Sequence, residues 1–289
     1  MILQFLGNGI VNGSLIALTA LGFSLIYNTM RVFHIAYAGI YIWAGYTLYF
    51  FMEQMHWPVL PAIVMAMAMA AILSIACEIF LYHPLQKRGR SSDSLMISSV
   101  GMLILLVSTA ELFFGNAAQY IDFSLPGEQV NGFMLLSSYR MLSLFISLLM
   151  IGIFFIYLKY SRTGIRIRAL RDNETLSRIL GIRVTRLKLL LYTLSGVFVA
   201  LAAGMSTLDV GINPHLGISI FINAFVALVI GGIGRFDGPV IGGLLLGILQ
   251  AMTEYFFDSR WVMMLTFSML ILFLFIKPRG LIPEKSRAF

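Results

Sequence analysis

Nine apolar runs of roughly bilayer-crossing length follow one another along this chain with little between them, at about 5–28, 34–52, 59–82, 94–114, 134–158, 188–208, 217–234, 238–256 and 261–276. A bilayer core about 30 Å thick is crossed by a helix of roughly 20 apolar residues. A soluble fold would need a polar face recurring with helical or strand period, and most of these runs have none. The composition agrees: 59% of residues are hydrophobic, 11% are charged, and the mean hydropathy is +0.90. The 26 glycines suit helices whose backbones pack closely in lipid. The expected fold is therefore an all-α, polytopic transmembrane bundle of about nine spans, forming one domain over residues 1–289. The stretch 29–52 is the least regular, studded with His34, Tyr37, Gly39, Tyr41 and Gly45. A broken or re-entrant helix there would make the count eight or ten.

Breakers separate the runs: Trp57-Pro58, the polar run Lys87–Asp93, Leu125-Pro126-Gly127, Asn213-Pro214 and Asp237-Gly238-Pro239. Threading nine spans from an external N-terminus puts 18 of the 20 basic residues inside, leaving only Arg140 and Arg260 outside. Glu53, Asp122, Glu128, Asp209 and Asp258 fall outside with them. That bias predicts an external N-terminus and a cytoplasmic C-terminus. The N-terminal run has no basic region before it and no evident cleavage site, so it is expected to remain as the first span. The net charge of +7 follows from the same topology. With no basic soluble domain present, nucleic acid is not an expected partner. Membrane lipid is. The lone Cys77 excludes an intrachain disulfide.

One long polar stretch interrupts the apolar pattern. Residues 159–188 hold nine of the 20 Lys and Arg residues. In its middle, Asp172 or Asn173 is placed to cap a short helix with Glu174 in the first turn. Leu176, Ile179 and Leu180 make one apolar stripe, and Gly181 is a natural stop. A helix of two turns is not stable alone in water and needs a surface to dock on. That surface is a partner protein or the lipid headgroups.

Polar side chains inside spans are costly and are the default functional candidates. Asn8 and Asn12 lie one turn apart, with Ser14 following; they line a pathway or bond a neighbouring helix. His34, Tyr37 and Tyr41 form a polar aromatic strip in the second run, and Asn223 stands in the seventh. Glu111 and Glu254 lie near the outer ends. Glu78 lies near the inner end, where pairing with a basic residue is expected. The pairs Gly9/Gly13, Gly238/Gly242 and Gly243/Gly247 are spaced for close helix crossing. No catalytic triad, metal-ligand spacing or phosphate-cradling Gly-Lys motif is present, so no catalytic residue, metal or cofactor is expected in this chain.

Four stretches carry a resemblance. They are Gly13-Ser14-Leu15-Ile16-Ala17-Leu18 through Leu25-Ile26-Tyr27 to Arg31-Val32; Arg168-Ala169-Leu170-Arg171-Asp172 with Gly181-Ile182; Ala224-Phe225, Gly231-Gly232-Ile233-Gly234, Gly238 and Gly242 to Gly247; and Lys277-Pro278-Arg279-Gly280-Leu281. In this order they resemble the permease subunits of bacterial ABC importers for branched-chain amino acids. The chain departs from that pattern at three places. It has Ala36-Tyr37-Ala38-Gly39 where the family shows Ala-His-Gly-Glu, Asn223 where the family has lysine, and Arg235 where it has a small polar residue.

The resemblance implies a permease subunit working with a second homologous permease, two cytoplasmic ATPase subunits and a periplasmic or lipid-anchored binding protein. ATP hydrolysis would lie on the partners. The 172–182 helix would be the coupling helix, flanked by Arg168 and Arg171, with Asp172, Asn173, Leu176, Ile179, Leu180 and Gly181 at the contact. Asn8, Asn12, Ser14, His34, Tyr37, Tyr41 and Asn223 are the expected pathway residues. Branched-chain or other neutral amino acids are the expected cargo, with urea or short-chain amides the in-family alternative. An ion-coupled secondary carrier is disfavoured by the lack of a mid-span acid, and a non-transporting scaffold by the polar strip.

Overall fold

A computed structural model describes residues 2–123, 137–277 and 280–282. The loop breaker Leu125-Pro126-Gly127, Glu128, and Pro278 and Arg279 of the C-terminal signature fall outside them. Among the described residues, twelve α-helices follow in order: α1 (Ile2–Met30), α2 (Tyr37–Tyr49), α3 (Val59–Ala76), α4 (His83–Lys87), α5 (Ser92–Phe114), α6 (Ser138–Tyr160), α7 (Arg162–Asp172), α8 (Glu174–Ile179), α9 (Val184–Val210), α10 (Leu216–Gly231), α11 (Gly238–Phe256) and α12 (Val262–Ile276). There is no strand among the described residues, only an isolated bridge between Gln119 and Ile212. In an apolar medium a helix satisfies every backbone donor and acceptor internally, which is why nearly every apolar run takes this form.

Among the described residues, seven helical segments are long and apolar enough to cross a membrane: Ile2–Met30, Val59–Lys87, Ser92–Phe114, Ser138–Tyr160, Val184–Val210, Gly238–Phe256 and Ser259–Ile276. The other two expected runs fold as shorter helices. The run 217–234 becomes α10. The run 34–52 becomes α2, which continues as a wider π turn, Phe50–Gln54. A second π turn, Cys77–Tyr82, links α3 to α4.

Burial separates inner from outer helices. Within their apolar windows α1 is 78% buried and α9 67%, whereas the segment ending in α12 is 6% buried. So α1 and α9 form the centre, and α12 lies at the periphery with most of its side chains exposed. The glycine pairs explain how α1 and α11 come together. A Cβ on Gly247 would overlap the backbone of Gly13, and one on Gly243 would overlap that of Ala17. Gly242 meets Ala227 of α10 in the same way. The spacing read as a close-crossing signal is used as such.

Tertiary hydrogen bonds sort the connections into two ends of the bundle. At one end Asn28 Nδ2 donates to the Arg235 carbonyl at 2.9 Å, and Gly234 N–H donates to Asn28 Oδ1 at 2.9 Å. Lys188 Nζ reaches Gln86 Oε1 at 3.1 Å, and Leu281 N–H donates to the Ile230 carbonyl. At the other end Arg140 bonds Asn8 and Asp209, Asp122 N–H bonds Glu53 Oε1, and Gln119 pairs with Ile212. The helical stretch Tyr37–Gln54 runs from the first end to the second without a break.

Candidate functional site

A cavity of about 240 Å³ lies where α1, α2, α9, α10 and α11 meet. That is somewhat below the roughly 300–1,000 Å³ typical of drug-sized ligand sites, and it suits a small solute. Its lining mixes polar and aliphatic side chains: Asn12 and Thr19 from α1, Tyr41 from α2, Ser206 from α9, Asn223 from α10 and Gln250 from α11 are interleaved with Leu15, Ile16, Ala202, Val210 and Ile220. Asn12, Leu15, Ile16 and Thr19 recur at helical spacing, so they share one face of α1. Asp209 adds the single carboxylate among the lining residues.

The amides are held in place. Gln250 Nε2 donates to Asn223 Oδ1 at 3.1 Å and to Thr266 Oγ1 at 2.8 Å. Asn223 is thereby oriented from behind. Of the seven expected pathway residues, the structure brings Asn12, Tyr41 and Asn223 to this cavity. Asn8 sits one turn from Asn12 and accepts a hydrogen bond from Arg140 Nη1 at 2.8 Å. Tyr37 lies behind the wall; its hydroxyl donates to the Thr19 carbonyl at 2.9 Å. Ser14 is buried and its Oγ–H donates to the Val11 carbonyl within its own helix at 2.7 Å, so its polar group faces no cavity. Thr19, Ser206, Asp209 and Gln250 were not singled out as pathway residues. Gln250 carries the same signal as Asn223, an amide inside an apolar run.

His34 belongs to a second buried cluster nearer the other end. Its Nδ1 lies 2.6 Å from the Tyr82 hydroxyl, which lies 2.7 Å from Ser99 Oγ. Ser99 Oγ accepts from the Ala36 N–H at 2.9 Å. The Tyr192 ring stacks on Tyr82 at 5.8 Å. This network fixes the bend between α1 and α2, where Arg31 takes a positive φ of 54°. Glu78 borders the cluster; the Lys188 charge acts on it across space, as a basic partner was expected to, but the two make no direct ion pair among the described residues. Glu78 is 2% exposed, and neither carboxylate oxygen has a hydrogen-bond partner. Lys188 Nζ is engaged instead by Gln86 and by Glu174 Oε1, at 3.1 Å each.

The polar loop folds as α7 and α8. Asn173, not Asp172, caps α8, its Oδ1 accepting from the Leu176 N–H at 2.9 Å. Gly181 ends the turn with a φ of 78°. Leu176, Ile179 and Leu180 are 53%, 77% and 68% exposed. The two arginines expected beside them turn back onto the chain. Arg168 Nη1 donates to the Leu158 carbonyl at 2.7 Å, satisfying a carbonyl in the last turn of α6. Arg171 stacks over the Phe236 ring at 5.6 Å and bonds Asp172 at 2.8 Å. Both hold α7 against the bundle and leave the α8 stripe uncovered.

Apolar spanning helices, a cavity lined by both polar and aliphatic side chains, and a short helix with an exposed apolar stripe at one end define a membrane-embedded transport subunit. Residues 5–274 match the model of the family described as branched-chain amino acid transport system / permease component, and the chain belongs to that family. It is a permease component of an ABC transporter and a multi-pass protein of the inner membrane. The high-affinity branched-chain amino acid transport system permease protein BraD of Pseudomonas aeruginosa is 30% identical over 297 residues, covering 97% of this chain and 95% of that protein. The corresponding LivH of Escherichia coli is 27% identical over 298 residues, with the same coverage. The probable branched-chain amino acid transport permease protein LivH of Methanocaldococcus jannaschii is 27% identical over 276 residues, 89% of this chain and 83% of that one. Among solved structures, PsaBC from Streptococcus pneumoniae in complex with Fab aligns over 96% of this chain and 91% of that one, with a TM-score of 0.47 and 18% identity.

Proposed function

We propose that this subunit moves branched-chain or other neutral amino acids into the cytoplasm, through a pore it shares with a second homologous permease. Two cytoplasmic ATPase subunits power it and a periplasmic or lipid-anchored binding protein loads it. The observation that carries the reading is the cavity, in a chain of this family. Amides and hydroxyls line it together with aliphatic side chains, which is chemistry that suits a small solute with both polar and apolar groups. Asn12, Tyr41, Asn223 and Gln250 contact the cargo, and Asn8 lies on its approach. Tyr37 braces α1 behind the lining, and His34 holds the bend between α1 and α2.

In this reading the chain crosses the membrane nine times, with α2 and α10 among the crossings, and the N-terminus lies outside. The end bearing residues 159–188, Lys87, Arg88, Arg90 and Arg235 is cytoplasmic, as its basic charge favours. The α8 stripe docks in the ATPase. ATP binding closes the ATPase pair, shifts α8, and turns the pore from inward-open to outward-open. The test is co-expression with the ATPases and binding protein, purification in mild detergent, and uptake of labelled leucine into proteoliposomes. Co-purification with ATP-dependent leucine uptake is the expected result. A preparation that retains its partners but imports no neutral amino acid overturns the cargo. One that binds no ATPase overturns the importer.

A further inference from the structure

Asp209 is the one charged group among the residues lining the cavity, and it is the penultimate residue of α9. Its partner is Arg140, in the first turn of α6, through a single Nε to Oδ1 contact at 3.2 Å. Arg140 also donates from Nη1 to Asn8 on α1. One guanidinium thus ties α6, α9 and α1 together over the cavity. The tie is not the two-bonded fork that makes an arginine–carboxylate pair strong. The two side chains are 32% and 22% exposed, so water and solutes reach them. The pair is placed and built to be exchanged.

We propose that the Arg140–Asp209 pair is a gate that reads zwitterions: an arriving amino acid puts its α-ammonium on Asp209 and its α-carboxylate on the released Arg140. This rests on the importer reading above and specifies how its cargo is chosen. Charge balance is the physical basis. A zwitterion replaces one ion pair with two and leaves no charge without a partner. An amine with the same side chain satisfies Asp209 but leaves Arg140 unpaired, and a carboxylate does the reverse. Leaving a partly desolvated charge unpaired is costly. Asn12 and Asn8, one turn apart, offer neutral hydrogen bonds along the same path, and Leu15, Ile16 and Val210 receive the aliphatic side chain. Because these aliphatic side chains sit at set places in the lining, the order of the two charges matters as well as their presence.

The test uses the whole transporter in proteoliposomes, with labelled leucine as cargo and isopentylamine and 4-methylvalerate as competitors. Neither competitor is expected to block wild-type uptake. Asp209→Asn and the neutral double variant Arg140→Gln/Asp209→Asn are expected to keep their ATPases and lose about tenfold or more of their leucine uptake, the scale of losing a hydrogen bond to a charged group. The reversed double variant Arg140→Asp/Asp209→Arg restores the tie between helices and guards against a simple folding defect. It is expected to assemble and stay well below wild type. Wild-type uptake by either double variant shows that the pair only ties helices and overturns the gate, while leaving the importer standing. A wild type that assembles but imports no zwitterion overturns the importer's cargo itself.

Discussion

Ile179→Glu should separate this subunit from its ATPase without unfolding it. Ile179 is 77% exposed in the isolated chain, Leu180 68% and Leu176 53%. Fully burying such a side chain contributes about 1.5–3 kcal/mol, so docking gains roughly 1–2 kcal/mol at Ile179 and about half the full value at Leu176. Leu176 already rests partly on its own bundle, so changing it would also disturb the seat of α8; Ile179 is the cleaner probe. Ile179→Ala should therefore weaken ATPase binding by about tenfold, since 1.4 kcal/mol is one decade. A glutamate adds the cost of an unpaired charge at the interface, about 3 kcal/mol or more, which together with the lost contact predicts a loss of roughly a thousandfold or greater. The assay is the amount of ATPase retained at a series of concentrations, with uptake measured in parallel. Arg183→Ala, beyond the stripe, should do little. If Ile179→Glu holds its ATPase and transports normally, α8 lies on lipid headgroups and the docking argument fails.

Three further outcomes follow from the same geometry. With Cys77 buried and giving little background, Tyr120→Cys should be labelled from the outside and Arg178→Cys only after permeabilisation; the reverse pattern would invert the topology. Gly247→Ala should sharply reduce folded protein in detergent, because its Cβ meets the Gly13 backbone, whereas Gly101→Ala, with open space at that position, should be neutral or slightly stabilising. Burial opposes ionisation of Glu174, but its hydrogen bond from Arg178 and its pairing with Lys188 outweigh this and hold its carboxyl below the ordinary 4.5. Its tie to Lys188 is thus complete above that value and lost only as pH falls through the lowered one, so this tie should make no difference to ATPase retention from about pH 8 to about pH 5, while Glu174→Gln should weaken it throughout.

The helices were legible because length and apolarity are one-dimensional properties, and a lipid-spanning backbone has almost no alternative to helix. The α8 cap, stripe and stop were legible for the same reason: Asn173, Leu176, Ile179 and Gly181 act within two turns of one another. What the apolar runs hide is direction. A span that is apolar on every side gives no periodic signal to tell a lipid-facing side from a bundle-facing one, so α1 and α12 read alike although one is central and the other peripheral. Polar atoms break that symmetry only in part. Asn12 and Asn223 reach the cavity, while Ser14 satisfies itself within its helix and His34 bonds a tyrosine carried by another segment. The deciding contacts are long-range: Asn28 to Arg235, Tyr37 to Thr19, Gln250 to Asn223. Asp209 shows the consequence. In the sequence it is one more acid at an outer end; only the meeting of α6, α9 and α1 gives it a cavity on one side and an arginine on the other.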